Sequence, residues 1–287
     1  MRPVQRDLIE WWSREGRDLP WRRSRDPWAV LVSELMLQQT QVSRVVDRYV
    51  RFLERFPTVA ACAAAPVGDV VDEWAGLGYN RRAVHLHRTA TACVERHGGQ
   101  LPDSLAELLR LPGVGPYTAR AVLVFAHERD VGLVDTNAGR FVARCLAGRR
   151  LSPREAQGTA DAGVPERWGW TWGQAVFDLG ASICRKRGPR CDDCPVRRHC
   201  AWAAAGFPEP DPIEGSAGIS APQPPLEGSD RQGRGRLVDA LRSAPVPPDG
   251  LAAAMGWPDD PDRARRVAAG VVADGLAVVD GGVYRLP

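Results

Sequence analysis

Four cysteines at C-x6-C-x2-C-x5-C spacing, Cys184, Cys191, Cys194 and Cys200, place four thiols on one short loop. That donor set suits a tetrahedral metal centre or a four-iron cluster, and the spacing alone leaves zinc and iron both open. The other three cysteines, Cys62, Cys93 and Cys145, are scattered along the chain, as buried apolar thiols usually are. An odd total of seven, four of them clustered, fits ligand thiols in a reducing compartment better than a disulfide framework.

A second motif is LPGVGPYTA at residues 111–119. Gly113 and Gly115 permit a tight hairpin with outward-facing backbone amides, and Pro116 suits the first helical position, where its missing N–H costs nothing. Amides at such a helix start can cradle a phosphate.

Short helices must position these groups. Apolar residues recur at helical spacing through 4–12, 28–37, 42–56, 67–74, 83–94, 105–109, 119–125, 141–146 and 172–183, with no sustained alternation before residue 270. The expected fold is therefore mainly α. Residues 207–227 turn rich in Pro, Gly, Ser and acidic side chains, which is linker chemistry. Helices around 234–242, 251–255 and 263–273 then precede a hairpin formed by 276–279 and 283–286, a winged-helix-like α+β pattern. The expected organisation is a main domain over 1–205, a linker over 206–228 and a small unit over 229–287.

Composition narrows the function classes without choosing one. The chain of 287 residues has 44% hydrophobic content and a formal net charge of +3, which permits a polyanionic partner without demanding it. No apolar run is long enough to span a bilayer, and the N-terminal residues read as neither signal nor transit peptide, so a cytoplasmic location is expected. Almost all the positive charge is arginine; Lys186 is the single lysine.

The hairpin motif, the segment VDTN at 134–137 and the cysteine loop at 184–200 together resemble the endonuclease III superfamily of helix-hairpin-helix DNA glycosylases. The segment VSELMLQQTQ at 32–41, with LPWR at 19–22 before it and GLGY at 76–79 after it, narrows the resemblance to MutY-type adenine glycosylases over residues 1–205. The resemblance implies a helix-hairpin-helix glycosylase fold, a [4Fe-4S] cluster on the four cysteines, and double-stranded DNA containing a mispaired adenine as partner. It implies base-excision repair: adenine opposite guanine or 8-oxoguanine is released, with a monomeric enzyme expected.

Breaking the bond between adenine and its sugar calls for an acid that improves the leaving group and a carboxylate that steadies positive charge developing on the sugar. Glu34 lies in an apolar, amide-rich segment where desolvation favours its protonated form, and by resemblance it protonates the adenine ring. Asp135 precedes a helix whose amides favour a negative charge, so it is expected to stay ionised and face the sugar. Asn137 and Tyr117 occupy the positions of the family's helpers for this carboxylate and its water. Relatives that also cleave the backbone carry a lysine nucleophile where this chain has Tyr117, so a monofunctional hydrolysis leaving an abasic site is expected.

For recognition the resemblance implies Gln39 and Tyr79 wedged beside the base opposite the adenine, with Trp21, Arg22 and Leu37 lining the adenine pocket. Gly113 and Gly115 would present the phosphate-binding amides. Two departures stand out: Asn80 follows Tyr79 where many relatives have a second tyrosine, and residues 228–287 are too few and too helical for the relatives' β-rich domain that helps recognise 8-oxoguanine. Arg263, Arg265 and Arg266 on the small unit are candidate DNA contacts. Two other readings accommodate parts of the pattern: a thymine or uracil mismatch glycosylase on the same fold, and a non-enzymatic iron-sulfur DNA-binding regulator.

Overall fold

The helices form where apolar spacing and end signals coincide. The helix Pro27–Leu37 is apolar on nearly every face, with Trp28, Leu31, Val32, Leu35 and Met36 buried, so it is a core helix and not a surface amphipath. Val42–Arg55 is amphipathic and buries Val45, Tyr49 and Phe52. Pro116–Phe125 starts with Gly115 as N-cap and Pro116 in the first turn. This is a computed structural model, and it describes residues 1–219 and 223–287.

The chain folds into two units, each assembled from separated stretches of sequence. The first comprises Met1–Val30, Asp103–Leu105 and Gly115–Pro222. Its core gathers Leu8, Phe141, Val142, Leu151, Trp172, Val176 and Leu179, and Phe141 meets Trp172 edge-to-face at 5.7 Å. The helix Gly169–Ser182 lies across Thr136–Phe141 so closely that a Cβ at Gly180 would come within 2.7 Å of the Cβ of Asn137. Thr136–Phe141 continues into a π-helical turn, Val142–Ala147, that Gly148 ends in the left-handed conformation at φ 66°. Within residues 207–219, Ile213 and Ser216 are buried, and Asp211 pairs with Arg144.

The second unit comprises Leu31–Pro102, Ala106–Val114 and Gln223–Pro287. Phe52, Phe56 and Trp74 stack in its core, with the Phe52 and Trp74 rings at 6.0 Å. Its C-terminal part contains the helices Asp230–Ser243, Leu251–Met255 and Pro261–Ala273, then the antiparallel strands Val278–Asp280 and Val283–Arg285. Leu237, Leu241, Met255, Val267 and Val271 close the core of this part. The terminal Pro287 carbonyl accepts from the Gly68 N–H at 2.9 Å.

Helices that escape the apolar-spacing reading include Val59–Ala64 and Pro153–Gly163. Both are built largely of alanine and glycine, whose periodicity is faint. Their start signals are plain: Thr58 caps the first, and Ser152 with Glu155 forms a capping box on the second. Among the described residues, no helix is long and apolar enough to cross a membrane.

Candidate active site and cysteine cavity

Asp135 is the N-cap of Thr136–Phe141. Its Oδ1 accepts the backbone N–H groups of Asn137 at 2.8 Å and Ala138 at 2.6 Å, and its Oδ2 accepts from Asn137 Nδ2 at 3.0 Å. The carboxyl is half-buried by exposed area yet closely surrounded by protein atoms. Burial pushes its pKa above the ordinary aspartate range, against the pull of Ala138, Asn137 and the more distant charge of Arg140. Neutral donors therefore hold the group, and among the described residues no arginine side chain is hydrogen-bonded to it.

The Asn137 amide is itself oriented. Arg140 Nη2 donates to Asn137 Oδ1 at 2.8 Å, so Nδ2 must face Asp135. Arg140 is buried and fully engaged: it also donates to the Gly180 carbonyl at 2.6 Å and, through Nε, to the Cys184 carbonyl at 2.7 Å. A continuous polar chain thus links the first cysteine of the loop to the Asp135 carboxyl.

Tyr117, the second residue of Pro116–Phe125, is half-buried with its ring 6.4 Å from that of Phe177. Before it, the hairpin turns at Gly113, whose φ of 74° and distance of 2.5 Å from the His85 Cβ to any added Cβ both demand glycine. Gly113 and Gly115 are exposed, as backbone that contacts a ligand must be.

Glu34 is buried at 6% exposure in the middle of Pro27–Leu37, and Leu37 at the helix end is half-buried. The end of this helix is held by a residue that sequence reasoning missed. Arg82 is buried, and its Nη1 donates to the carbonyls of Leu35 at 2.6 Å, Met36 at 2.9 Å and Gln38 at 2.6 Å. Its Nη2 reaches the Thr40 hydroxyl at 3.0 Å and the Gly78 carbonyl at 2.8 Å. Burial lowers its pKa to about 10. One guanidinium therefore satisfies the open helix end and ties it to the loop carrying Tyr79. Nothing in the local sequence marks Arg82 apart from its neighbour Arg81.

Gln39 and Tyr79 both adopt positive φ, 56° and 47°, which non-glycine residues rarely do. Both are exposed, and Gln223 brings them together: its Nε2 donates to Gln39 Oε1 at 2.6 Å, and its Oε1 accepts from the Tyr79 hydroxyl at 2.8 Å.

Trp21 and Arg22 lie in the short turn Pro20–Arg22, and both are buried. The Arg22 guanidinium makes a two-pronged contact with Asp178, each bond 2.8 Å. Trp12 Nε1 and the backbone and side chain of Arg17 complete that carboxylate's partners. On the small C-terminal part, Arg263 and Arg266 pair with Asp230 and Arg265 pairs with Asp262, so that arginine face carries its own acids.

Cys184, Cys191, Cys194 and Cys200 line one small void of about 30 Å³, walled by Phe141, Leu179, Ile183, Val196 and Trp202. Among the described residues, no three His, Cys, Asp or Glu side chains converge on a point that a single ion would occupy. The donor set and the dry wall fit a thiolate-held centre. Positive charge is supplied by two buried arginines that sequence reasoning also missed: Arg140 on the Cys184 carbonyl, and Arg144, whose Nη1 lies 3.6 Å from Cys184 Sγ. Arg144 also binds the Asp211 carboxylate and the Arg185 carbonyl. Cys145, one of the scattered cysteines, joins the cavity wall beside Cys200, and its thiol helps pull the Cys200 pKa down to about 6.

Comparison with known proteins agrees with this architecture. Residues 32–166 match the family model described as HhH-GPD superfamily base excision DNA repair protein. The chain is 41% identical over 285 residues to the adenine DNA glycosylase of Mycobacterium tuberculosis, covering 96% of this chain and 91% of that one. Among solved structures it is similar to a thermostable thymine-DNA glycosylase, at 27% identity and a TM-score of 0.67 over 70% of this chain and 95% of that one. An endonuclease III trapped on DNA shares the fold at 21% identity and a TM-score of 0.61, over 71% of this chain and 96% of that one. The chain belongs to the adenine DNA glycosylases of the HhH-GPD base excision DNA repair superfamily. The fold expected from its motifs, mainly α with a small C-terminal strand pair, is the fold found.

Proposed function

We propose that this chain releases adenine mispaired with guanine or 8-oxoguanine from double-stranded DNA, by monofunctional hydrolysis of the N-glycosidic bond that leaves an abasic site. The observation that carries this reading is the 41% identity spanning nearly the whole of both chains. Glu34 is the proton donor to the adenine ring, a role that its buried place in the middle of Pro27–Leu37 supports. Asp135 steadies the positive charge that develops on the sugar as the bond lengthens, and it must be ionised to do so. Its two backbone amides and the Asn137 carboxamide support that state and fix its direction. Asn137 and Tyr117 serve the carboxylate and the attacking water. Gln39 and Tyr79 wedge into the duplex beside the base opposite the adenine, while Trp21, Arg22 and Leu37 contribute to the adenine pocket; the engagement of Arg22 with Asp178 supports a role for it in holding that turn.

The four cysteines hold a [4Fe-4S] cluster in this reading. The four thiols lining one void support a thiolate-held centre there, and visible absorption of the purified protein distinguishes an iron cluster from colourless zinc. When bound, the cluster would cross-link the loop that carries the exposed Arg185, Lys186, Arg187 and Arg190, candidates to meet phosphates. The hairpin amides at Gly113 and Gly115 give a second phosphate contact, and the enzyme acts as a monomer in the cytoplasm on DNA.

The likeness to a thymine-DNA glycosylase structure favours a mismatched thymine as the second reading. Single-turnover excision on duplexes carrying A opposite G, A opposite 8-oxoguanine, T opposite G and U opposite G separates the two. Adenine release from the first two alone, lost in Glu34→Gln with DNA binding retained, is the expected result. Release of thymine, or trapping of a covalent complex by borohydride, contradicts it.

A further inference from the structure

A groove of about 850 Å³ in the second unit is bounded by residues 38–44, by residues 77–85, and by the stretch from Gln223 into the helix Asp230–Ser243. Its walls carry six arginines against two aspartates; Arg82 is committed to backbone carbonyls and Arg81 and Arg234 pair with Asp274, which leaves Arg44, Arg231 and Arg236 as the groove's remaining cations. Among its lining residues is Gln223. Besides its bonds to Gln39 and Tyr79, its Oε1 accepts from Arg231 Nη1 at 2.7 Å, and Arg231 Nη2 donates to the Pro224 carbonyl at 3.1 Å.

We propose that Gln223 and Arg231 read the base opposite the excised adenine and favour guanine oxidised at C8. The inference rests on the adenine-excision reading above and assigns the opposite-base preference to residues outside 1–205. Guanine presents acceptors at N7 and O6 on its major-groove edge. Oxidation at C8 places a hydrogen on N7 and a carbonyl oxygen on C8, so N7 changes from acceptor to donor.

A carboxamide distinguishes those two edges only if it cannot turn over. Here it cannot: Arg231 and the Tyr79 hydroxyl both donate to Oε1, while Gln39 Oε1 takes the Nε2 hydrogen. Turning the amide would set Nε2 against the Arg231 guanidinium, which can only donate. A base entering beside Tyr79 therefore meets a fixed acceptor. The N7–H of the oxidised base satisfies it in place of the Tyr79 hydroxyl, the C8 oxygen can accept from Arg231, and the N7 lone pair of intact guanine is repelled. The 40% exposed Tyr79 ring offers a stacking face.

The test uses the full chain, with duplexes carrying a non-hydrolysable 2′-fluoro adenosine opposite either guanine or 8-oxoguanine. Affinity is measured for the wild type, Gln223→Ala and Arg231→Ala, with thermal melting as a check on folding and excision of natural adenine followed in parallel. The wild type is expected to bind the 8-oxoguanine duplex at least tenfold more tightly. Each variant should weaken that complex at least tenfold more than the guanine complex. A wild type without preference, variants that keep the preference, or equal weakening of both complexes would each overturn the proposal. Absence of adenine excision by the wild type would instead sink the adenine reading, while the binding ratios still decide the role of Gln223.

Discussion

Two aspartates of the first unit, Asp178 and Asp135, show how partners set the electrostatic state of one side-chain type. Burial alone would push both carboxyls up. Asp178 is instead held below its ordinary range by the hydrogen bonds and charge of Arg22, with Arg17 adding to them. Asp135 receives only backbone N–H groups and an amide, with Arg140 held off on the far side of Asn137, and its pKa stays raised. Full cations lock a carboxylate and leave it little to offer a substrate. Neutral donors orient it while leaving its charge available to a cation that forms during reaction.

The largest effect expected from this contrast is at Asp135. Asp135→Asn should lower single-turnover excision by about 10³-fold or more, with DNA affinity changed severalfold at most. An excision loss under tenfold would break the comparison. Asp178→Asn should act on stability instead: it leaves the buried Arg22 guanidinium without its counter-charge, a loss of about 3–5 kcal/mol by denaturant titration. Arg82→Met, which opens the end of the Glu34 helix, should cost about 3 kcal/mol in the same assay, because several buried carbonyls lose their donor together.

The smallest effect, and the most discriminating, is in the pH dependence of stability. Asp178 has a lowered pKa, so its stabilisation is complete above the ordinary value of 3.8 and is lost as pH falls through the lowered value. Asp135 has a raised pKa, so its contribution is complete below 3.8 and is lost as pH rises through the raised value. Melting temperatures across the acidic range should therefore show Asp135→Asn gaining on the wild type as pH rises. The deficit of Asp178→Asn should shrink as pH falls below 3.8. Over the window in which Asp135 ionises, wild-type excision should rise with pH. Slopes of the same sign for both variants would show that the two carboxyls do not differ as described.

Much of this site is readable in the chain because its signals are local. The glycine turn before Pro116, the N-cap role of Asp135 and the four clustered cysteines each depend on residues a few positions apart. The helices Val59–Ala64 and Pro153–Gly163 were missed where alanine and glycine blurred the apolar period, although the Ser152 and Glu155 capping box was there to be found. Arg82, Arg140 and Arg144 were not legible at all. In a chain whose cations are nearly all arginine, type alone separates none of these three from the exposed ones.

By itself, the sequence determined the helical class, the short-range turns and caps, and the presence of a thiol-rich loop, since backbone geometry and capping act over one or two helical turns. Only tertiary structure decided which arginine meets which acceptor. Arg22 and Asp178 are separated by 156 positions, Tyr79 and Gln223 by 144, and Arg140 and Cys184 by 44. Donors and acceptors of these types suit many partners, and only the packing of distant helices around a shared core selects the pair that forms.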